Sequence, residues 1–416
     1  MSSSPAPAQV SYAFAAPYAH PPTSSIRALM PYALRAGTVS MAGGYPAREL
    51  FDLEGLRAAD AAVCARLGDV LQYSDIEGQA SLRYALATLS AERGIVCDPD
   101  RELAVTGGSQ QALSLIARVM LAAGDTAIVE SAAYTNTFNA LRYTGATIRT
   151  VPSGPHGMDL DALAALVPLV KPKMVCVVAS FSNPCGATMT AQQRRRLIDL
   201  AIEHQFLLVE DDPYGELRFE GDHVPPIAAL ADERGRPWMA YVSSLSKTVA
   251  PGLRLGWMIV PAEIRRRCMA AKAADDMASP AWIQEIAATY LAQGHYARHV
   301  PRIVAAYGLR CAALVSSLTS ELGSDLAFER PQGGMFLWGR LTGDIDAKRL
   351  LPYAIEHEVV YVPGHIFYAD AADADAHAMR LSFATMNEEK IRLGAARLKN
   401  ALAACAAGAP CSIVLP

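Results

Sequence analysis

The sequence predicts an α/β layered fold followed by a smaller α+β domain. Three observations carry this. From about Asp98, short apolar runs alternate with helical text; the runs lack two-fold alternation; and beyond Pro261 the pattern gives way to long helices and then short strands. Strand and helix alternating at this spacing is the cadence of βα units, whose crossovers place helices on both faces of a sheet. With 416 residues, 52% of them hydrophobic, the chain can bury a large core divided among two or three units.

Taken in order, Met1–Val10 is a Ser/Pro/Ala-rich tail without the charged start and apolar block of a signal peptide. The segment 1–54 has few helical cues beyond Ser25–Leu34, and is expected to pack with the smaller domain and the functional site. A large domain over 55–295 follows. Its strands are read at Leu103–Thr106, Thr126–Glu130, Lys173–Ala179, Phe206–Glu210 and Trp238–Ser243, with helices at Gln110–Ala122 and Ala191–His204. The run Met174 to Ala179 is apolar at every position, so both of its faces are expected to be covered. Long helical text at Ala262–Gln293 and Val300–Leu322 then leads into short strands near Met335–Gly339 and Met379–Phe383, giving a small domain over 296–416.

Charged residues make up 19% of the chain and the formal net charge is -4, which predicts no strong attraction to nucleic acid or to an anionic membrane. The eight cysteines are scattered, with no CxxC pair and no histidine at zinc-ligand spacing. A reducing compartment and no metal site are expected. No apolar run is read as long enough to span a membrane, and the cytoplasm is the expected location.

Four short stretches carry chemistry. In Ser243–Trp257, Lys247 follows a buried strand among hydroxyls, and a Pro-Gly turn and Arg254 come after it. Burial lowers the pKa of a lysine and frees its amine, as Schiff-base chemistry requires. Ser244 and Arg254 then offer a hydroxyl and a planar cationic fork to a phosphate. By itself this stretch also fits a solvated loop lysine with an incidental arginine. Second, Glu210-Asp211-Asp212-Pro213-Tyr214 ends a strand at the place where open α/β sheets bind ligands. A carboxylate there can pair with a protonated pyridine nitrogen, and Tyr214 can donate to a phenolic oxygen of the same ring. Asp211 is the expected ring partner, while Asp212-Pro213 also reads as a turn or helix cap. Third, Asn183, in Ser182-Asn183-Pro184, offers an amide to that phenolic oxygen. Fourth, Gly107-Gly108-Ser109-Gln110 joins a strand to a helix, so its backbone N–H groups and the helix dipole favour an anion, although a plain Gly-rich turn reads the same way.

In order and spacing these pieces resemble the fold type I pyridoxal-phosphate enzymes, specifically the class I/II aminotransferases, and most of all the branch with α-aminoadipate, kynurenine and aromatic aminotransferases. The likeness runs from about Ser40. It takes in Met41 to Pro46, Tyr73 to Gly78, Leu82-Arg83, the four stretches above, Pro331 to Trp338, and Arg380 to Phe383. Ala132 and Cys185 stand where many members have Pro and Thr; neither change removes a catalytic group.

The resemblance implies a mostly parallel seven-stranded sheet sandwiched by helices, pyridoxal 5'-phosphate as cofactor, and a homodimer with shared active sites. It implies Lys247 as the Schiff-base lysine and proton carrier, Asp211 on the ring nitrogen, Asn183 and Tyr214 on the phenolic oxygen, and Tyr134 stacked on the ring. Gly108, Ser109, Gln110, Ser244 and Arg254 would hold the phosphate, with Tyr73 reaching the phosphate of the neighbouring subunit. Arg380, with Gly44 and Asn183 nearby, would bind the substrate α-carboxylate. The implied activity moves an amino group from an L-amino acid (aromatic, aminoadipate-like or broad) to a 2-oxo acid such as 2-oxoglutarate, in ping-pong order.

Two other readings are set beside it: elimination, oxidation or cyclisation of an amino acid on the same fold, and a ligand-binding regulator. About forty residues precede Gly43-Gly44, which argues against a winged-helix domain ahead of the fold. Side-chain specificity is assigned provisionally to Tyr12, Tyr18, Arg27 and Tyr45 in the N-terminal segment, with Arg27 facing a distal acid group or simply solvent.

Overall fold

The computed structural model describes residues 12–19 and 25–413; the Met1–Val10 tail lies outside them. Seven strands form the central sheet: β1 (Leu103–Thr106), β2 (Thr126–Glu130), β3 (Thr147–Val151), β4 (Met174–Val177), β5 (Leu207–Asp211), β6 (Met239–Ser244) and β7 (Gly256–Ile259). They lie in the order β1-β7-β6-β5-β4-β2-β3. Neighbours pair in parallel except around β7, which is antiparallel to both β1 and β6.

The uninterrupted apolar run of β4 is explained by its two covered faces. Met174 and Cys176 enter one core cluster, together with the helices Ser109–Met120 and Ala262–Asp275. Val175 and Val177 point the other way, toward the helices Leu160–Val170 and Ala191–His204. The same alternation recurs in β5, where Leu207 and Val209 share the first cluster and Leu208 the second. Each large apolar side chain buried in this way stabilises the fold by about 1.5–3 kcal/mol.

Two strands of this sheet went unread in the sequence, for different reasons. β3 is the edge strand and its exposed positions break the apolar run. β7 comes just after the Pro251-Gly252 turn, so it reads as loop.

The helical text Ala262–Gln293 is two helices, Ala262–Asp275 and Ala281–Ala292. Met277 takes a left-handed φ of 57° and Pro280 caps the second helix, so the first cannot continue. The next helix begins at His295 rather than Val300 and runs to Leu322. Burial of Tyr296 and His299 outweighs the backbone hydrogen bond lost to Pro301. By length and composition alone this helix could cross a membrane, with a mean hydropathy of 1.4 in its most apolar stretch, contrary to the sequence expectation. Here it is a packing helix whose buried Ile303, Tyr307, Cys311, Leu314 and Leu318 face a core shared with the helix Glu388–Ala406. Ser25–Leu34 holds two short helices, Ser25–Ala28 and Met30–Ala33, rather than one.

A second sheet carries β8 (Leu326–Phe328), β9 (Phe336–Leu341), β10 (Val362–Pro363) and β11 (Ala378–Ser382), all antiparallel, in the order β8-β9-β11-β10. The N-terminal segment is stitched to this part of the molecule. Val39–Ser40 pairs in parallel with Val359–Val360, and Ser382 N–H donates to Met41 O at 2.8 Å. Gly43 and Gly44 are thereby carried toward the end of the large sheet.

Candidate active site

Every parallel strand of the large sheet that carries a singled-out motif delivers it at its carboxyl end. β1 leads to Gly108, β2 to Tyr134, β4 to Asn183, β5 to Asp211 and β6 to Ser244 and Lys247. Because β7 runs backwards, its first residue starts at this same edge, and Arg254 stands just before it. Open α/β sheets place their ligands at this edge.

Lys247 is partly buried, and its Nζ donates to Gly44 O at 2.8 Å. Burial first, then the cations of Arg380 and Arg254, bring its pKa down to about 8, against an opposing pull from Asp211. Asp211 closes β5 with its Oδ1 wholly buried and without a hydrogen-bond partner. Burial, followed by the adjacent charge of Asp212, lifts its pKa to about 7, with Lys247 acting the other way. Such an atom calls for a donor, and a protonated ring nitrogen is one.

Asp212 has a different occupation. It accepts from Gly215 N–H at 3.0 Å and Tyr241 OH at 3.1 Å, and pairs with Arg93 at 2.7 Å. It therefore builds the turn, as the Asp-Pro pair suggested. That turn buries Tyr214, which meets Phe336 edge-on at 5.8 Å and has Asn183 beside its hydroxyl; burial drives its pKa up. Tyr134 accepts from Asn136 Nδ2 at 2.8 Å, and its pKa is raised by burial.

At the β1 end, Gly108 has φ 99° and starts the helix Ser109–Met120 with no side chain capping it. A Cβ on Gly108 would stand 2.6 Å from Arg254 Nη2, and one on Gly256 would stand 2.6 Å from Ser109 N. Only glycine permits these backbones to close around Arg254, whose Nη2 donates to Gly107 O at 2.8 Å. The result is an open helix N-terminus beside an exposed guanidinium, a ready anion site. Gln110 Nε2 is directed away, toward Asn136 O at 3.3 Å. The Ser244 hydroxyl lies within donating distance of Leu255 O, at 3.0 Å, and Ser246 Oγ, at 2.8 Å. Ser246, which the sequence reading passed over, is thereby brought into the same cluster.

Arg380 is 2% exposed. It donates to Asn183 Oδ1 at 2.8 Å and Ala42 O at 2.6 Å, while its Nε has no partner. Phe336 and Phe367 flank the guanidinium at 4.4 and 4.8 Å. Burial lowers its pKa to about 10, partly offset by Tyr214 and Tyr134. Among the described residues no carboxylate pairs with it, so this buried cation is left with an unpartnered Nε and no counter-charge. Phe336 lies within the Pro331–Trp338 motif, but nothing in the sequence pointed to Phe367.

Two expected residues stand apart. Tyr73 is 79% exposed on this chain, and Arg27 is exposed on its short helix. Of the other specificity candidates, Tyr12 and Tyr45 are exposed, while Tyr18 stacks on Tyr143 at 4.6 Å.

A lysine of lowered pKa, an unmet buried carboxylate and an anion cradle at one sheet edge, with a buried arginine from the second sheet, fit a phosphorylated pyridine aldehyde and an amino acid. The sequence profile of aminotransferase class I and II matches residues 52–398, and the chain belongs to that family. It is 36% identical to an aromatic-amino-acid aminotransferase of Thermococcus litoralis over 90% of each chain. It is 35% identical to a 2-aminoadipate transaminase of Thermus thermophilus, covering 91% of this chain and 94% of that one. An α-aminoadipate aminotransferase from Thermus thermophilus, solved with N-(5'-phosphopyridoxyl)-L-leucine, superimposes with a TM-score of 0.84 at 35% identity, over 92% and 96% of the two chains. The protein is a pyridoxal-phosphate-dependent aminotransferase.

Proposed function

We propose that the chain transfers the amino group of an aromatic, aminoadipate-like or broader range of L-amino acids to a 2-oxo acid such as 2-oxoglutarate, with Lys247 as the covalent anchor and proton carrier. The observation that carries this reading is the meeting, at one sheet edge, of an amine brought down to about pH 8 with a buried carboxylate oxygen that lacks a partner. When bound, pyridoxal phosphate supplies an electron-withdrawing ring that takes up the electron pair left as the substrate Cα–H bond breaks.

Asp211 keeps the ring nitrogen protonated, and Asn183 and Tyr214 donate to the phenolic oxygen. Tyr134 stacks on the ring. Ser109 and Gln110 backbone N–H groups, Gly108, Ser244 with Ser246, and Arg254 hold the phosphate. Arg380 orients the substrate through its α-carboxylate, offering its unpartnered Nε. Lys247 would hold the cofactor and, as a free amine, would take the substrate Cα proton and return it elsewhere. Its lowered pKa supports that role, because far more of the amine is unprotonated near neutral pH than in an ordinary lysine.

The homodimer belongs to the same reading: exposed Tyr73 serves the phosphate site of a second copy. Eight free cysteines support a reducing, cytoplasmic setting. Arg27 is the candidate reader of a distal carboxylate.

A panel of amino donors, each mixed with the holoenzyme without an oxo acid, tests the donor class through conversion of the cofactor to its amine form. Aromatic amino acids and aminoadipate should convert it stoichiometrically. Release of ammonia or peroxide in catalytic amounts would instead favour elimination or oxidation. Lys247→Ala should lose both turnover and the visible absorbance of the lysine-bound cofactor; a fully active variant would refute the anchor. Arg27→Ala should raise KM for dicarboxylic donors and spare aromatic ones.

A further inference from the structure

Behind the Lys247 turn lies a small, largely enclosed cavity between the helix Ala80–Glu92, the turn after Asp212, strands β6 and β7, and Tyr296. Three atoms in its wall are unusual. Ser90 Oγ, Thr248 Oγ1 and Trp257 Nε1 are buried with no hydrogen-bond partner, on residues only 2%, 3% and 4% exposed. Tyr296 approaches Thr248 without completing a bond. Each unmet buried group costs about 1–3 kcal/mol, and three lining one chamber share a single remedy.

The charged part of the wall is already paired. Arg93 donates to Tyr241 OH at 2.7 Å and pairs with Asp212 at 2.7 Å, and Glu216 stands 3.3 Å from the same guanidinium. The guanidinium of Arg93 is thus engaged by two carboxylates, so no unpaired cation among these lining residues calls for an anionic guest. The cavity measures about 10 Å³ to the centre of a water-sized sphere, close to the room one water needs and too small for a phosphate or an amino acid.

We propose that this chamber is a binding site for one structural water. The indole N–H of Trp257 can only donate, so it takes a lone pair of the water. The hydroxyls of Ser90 and Thr248 can then accept the two water hydrogens, and each of the three groups gains a partner. The site joins three separate pieces of chain: the helix bearing Ser90, the residue directly after Lys247, and strand β7 just beyond Arg254. One molecule therefore pins both ends of the segment that carries the lysine and the guanidinium.

A high-resolution crystal structure of the holoenzyme tests this. One ordered peak within hydrogen-bonding distance of all three atoms is expected. An empty chamber, or side chains paired directly with each other, overturns the proposal. Thr248→Ser keeps a hydroxyl and should keep the peak, whereas Thr248→Val removes it at nearly constant volume and should lower the occupancy at least several-fold. Unchanged occupancy in the valine variant would also overturn it. Should that variant fail to fold, Ser90→Ala gives the same comparison from the opposite wall.

Discussion

Asp211 is held at a disadvantage in the cofactor-free chain. Its buried Oδ1 has no partner, and its pKa rises from an ordinary 3.8 to about 7. Between roughly pH 4 and 7 the folded chain thus keeps a proton that the unfolded chain has lost, so this group makes stability fall as pH rises through that window. Asp211→Asn should flatten the dependence: without cofactor, the variant should melt higher than the parent at pH 8 and similarly near pH 4. Identical melting at both pH values would remove the idea. The same substitution should lower kcat by about 10²–10³-fold, the usual cost of losing one electrostatic contact to a reacting group. Strain that is relieved only by the ligand is a feature of functional sites, where local rules are broken for chemistry.

At the scale of elements, what holds the strand ends in place can be tested separately from what they carry. Glu210, fully buried on β5, accepts from Ile227 N–H and Ala228 N–H at 2.9 and 3.0 Å and faces Arg194 at 3.9 Å. Arg194 in turn donates to Met189 O, Pro225 O and Ala179 O. Arg194→Ala should destabilise the fold by about 3–5 kcal/mol, because it strands a buried carboxylate, and chemical denaturation would read this directly. Gly108→Ala places a Cβ on Arg254 at a positive φ. A penalty of about 1–3 kcal/mol is expected to appear as weaker cofactor affinity in an equilibrium titration.

The elements also show what the sequence could and could not disclose. The apolar runs of β1, β2, β4, β5 and β6 were legible because two-sided burial writes a continuous signature. β3 was hidden by its exposed face and β7 by the Pro-Gly turn just before it. The cluster at the sheet edge was legible through motifs whose residue types are chemically specific, Lys247 and Asp211 above all. Phe367 and Ser246 were not, since an aromatic against a guanidinium and a serine beside a lysine leave no periodic trace. The break at Met277–Pro280 was available in Pro280, but the strong helical text on both sides obscured it.

For the whole molecule, the proposed pairing of two copies puts Tyr73 in a site that one chain cannot complete. Sedimentation at micromolar concentration should give twice the chain mass, and cofactor should dissociate faster as the protein is diluted toward single chains. Tyr73→Phe should weaken cofactor retention without altering the mass. A single-chain species that holds its cofactor as tightly as the pair would count against the shared site.

The reversed strand β7 has a consequence for how this enzyme can change over time. Because β6 and β7 form a hairpin, with Leu245 N–H bonded to Leu255 O at 3.1 Å, the lysine and the phosphate-side arginine are separated by one short bend instead of a helical crossover. The two are geared together: a residue added between Ser246 and Leu255 would shift one against the other, whereas the exposed turn at Gly154–Pro155 could lengthen without disturbing either. Evolution can therefore vary that outlying turn freely, while the spacing of the bend is closed to it.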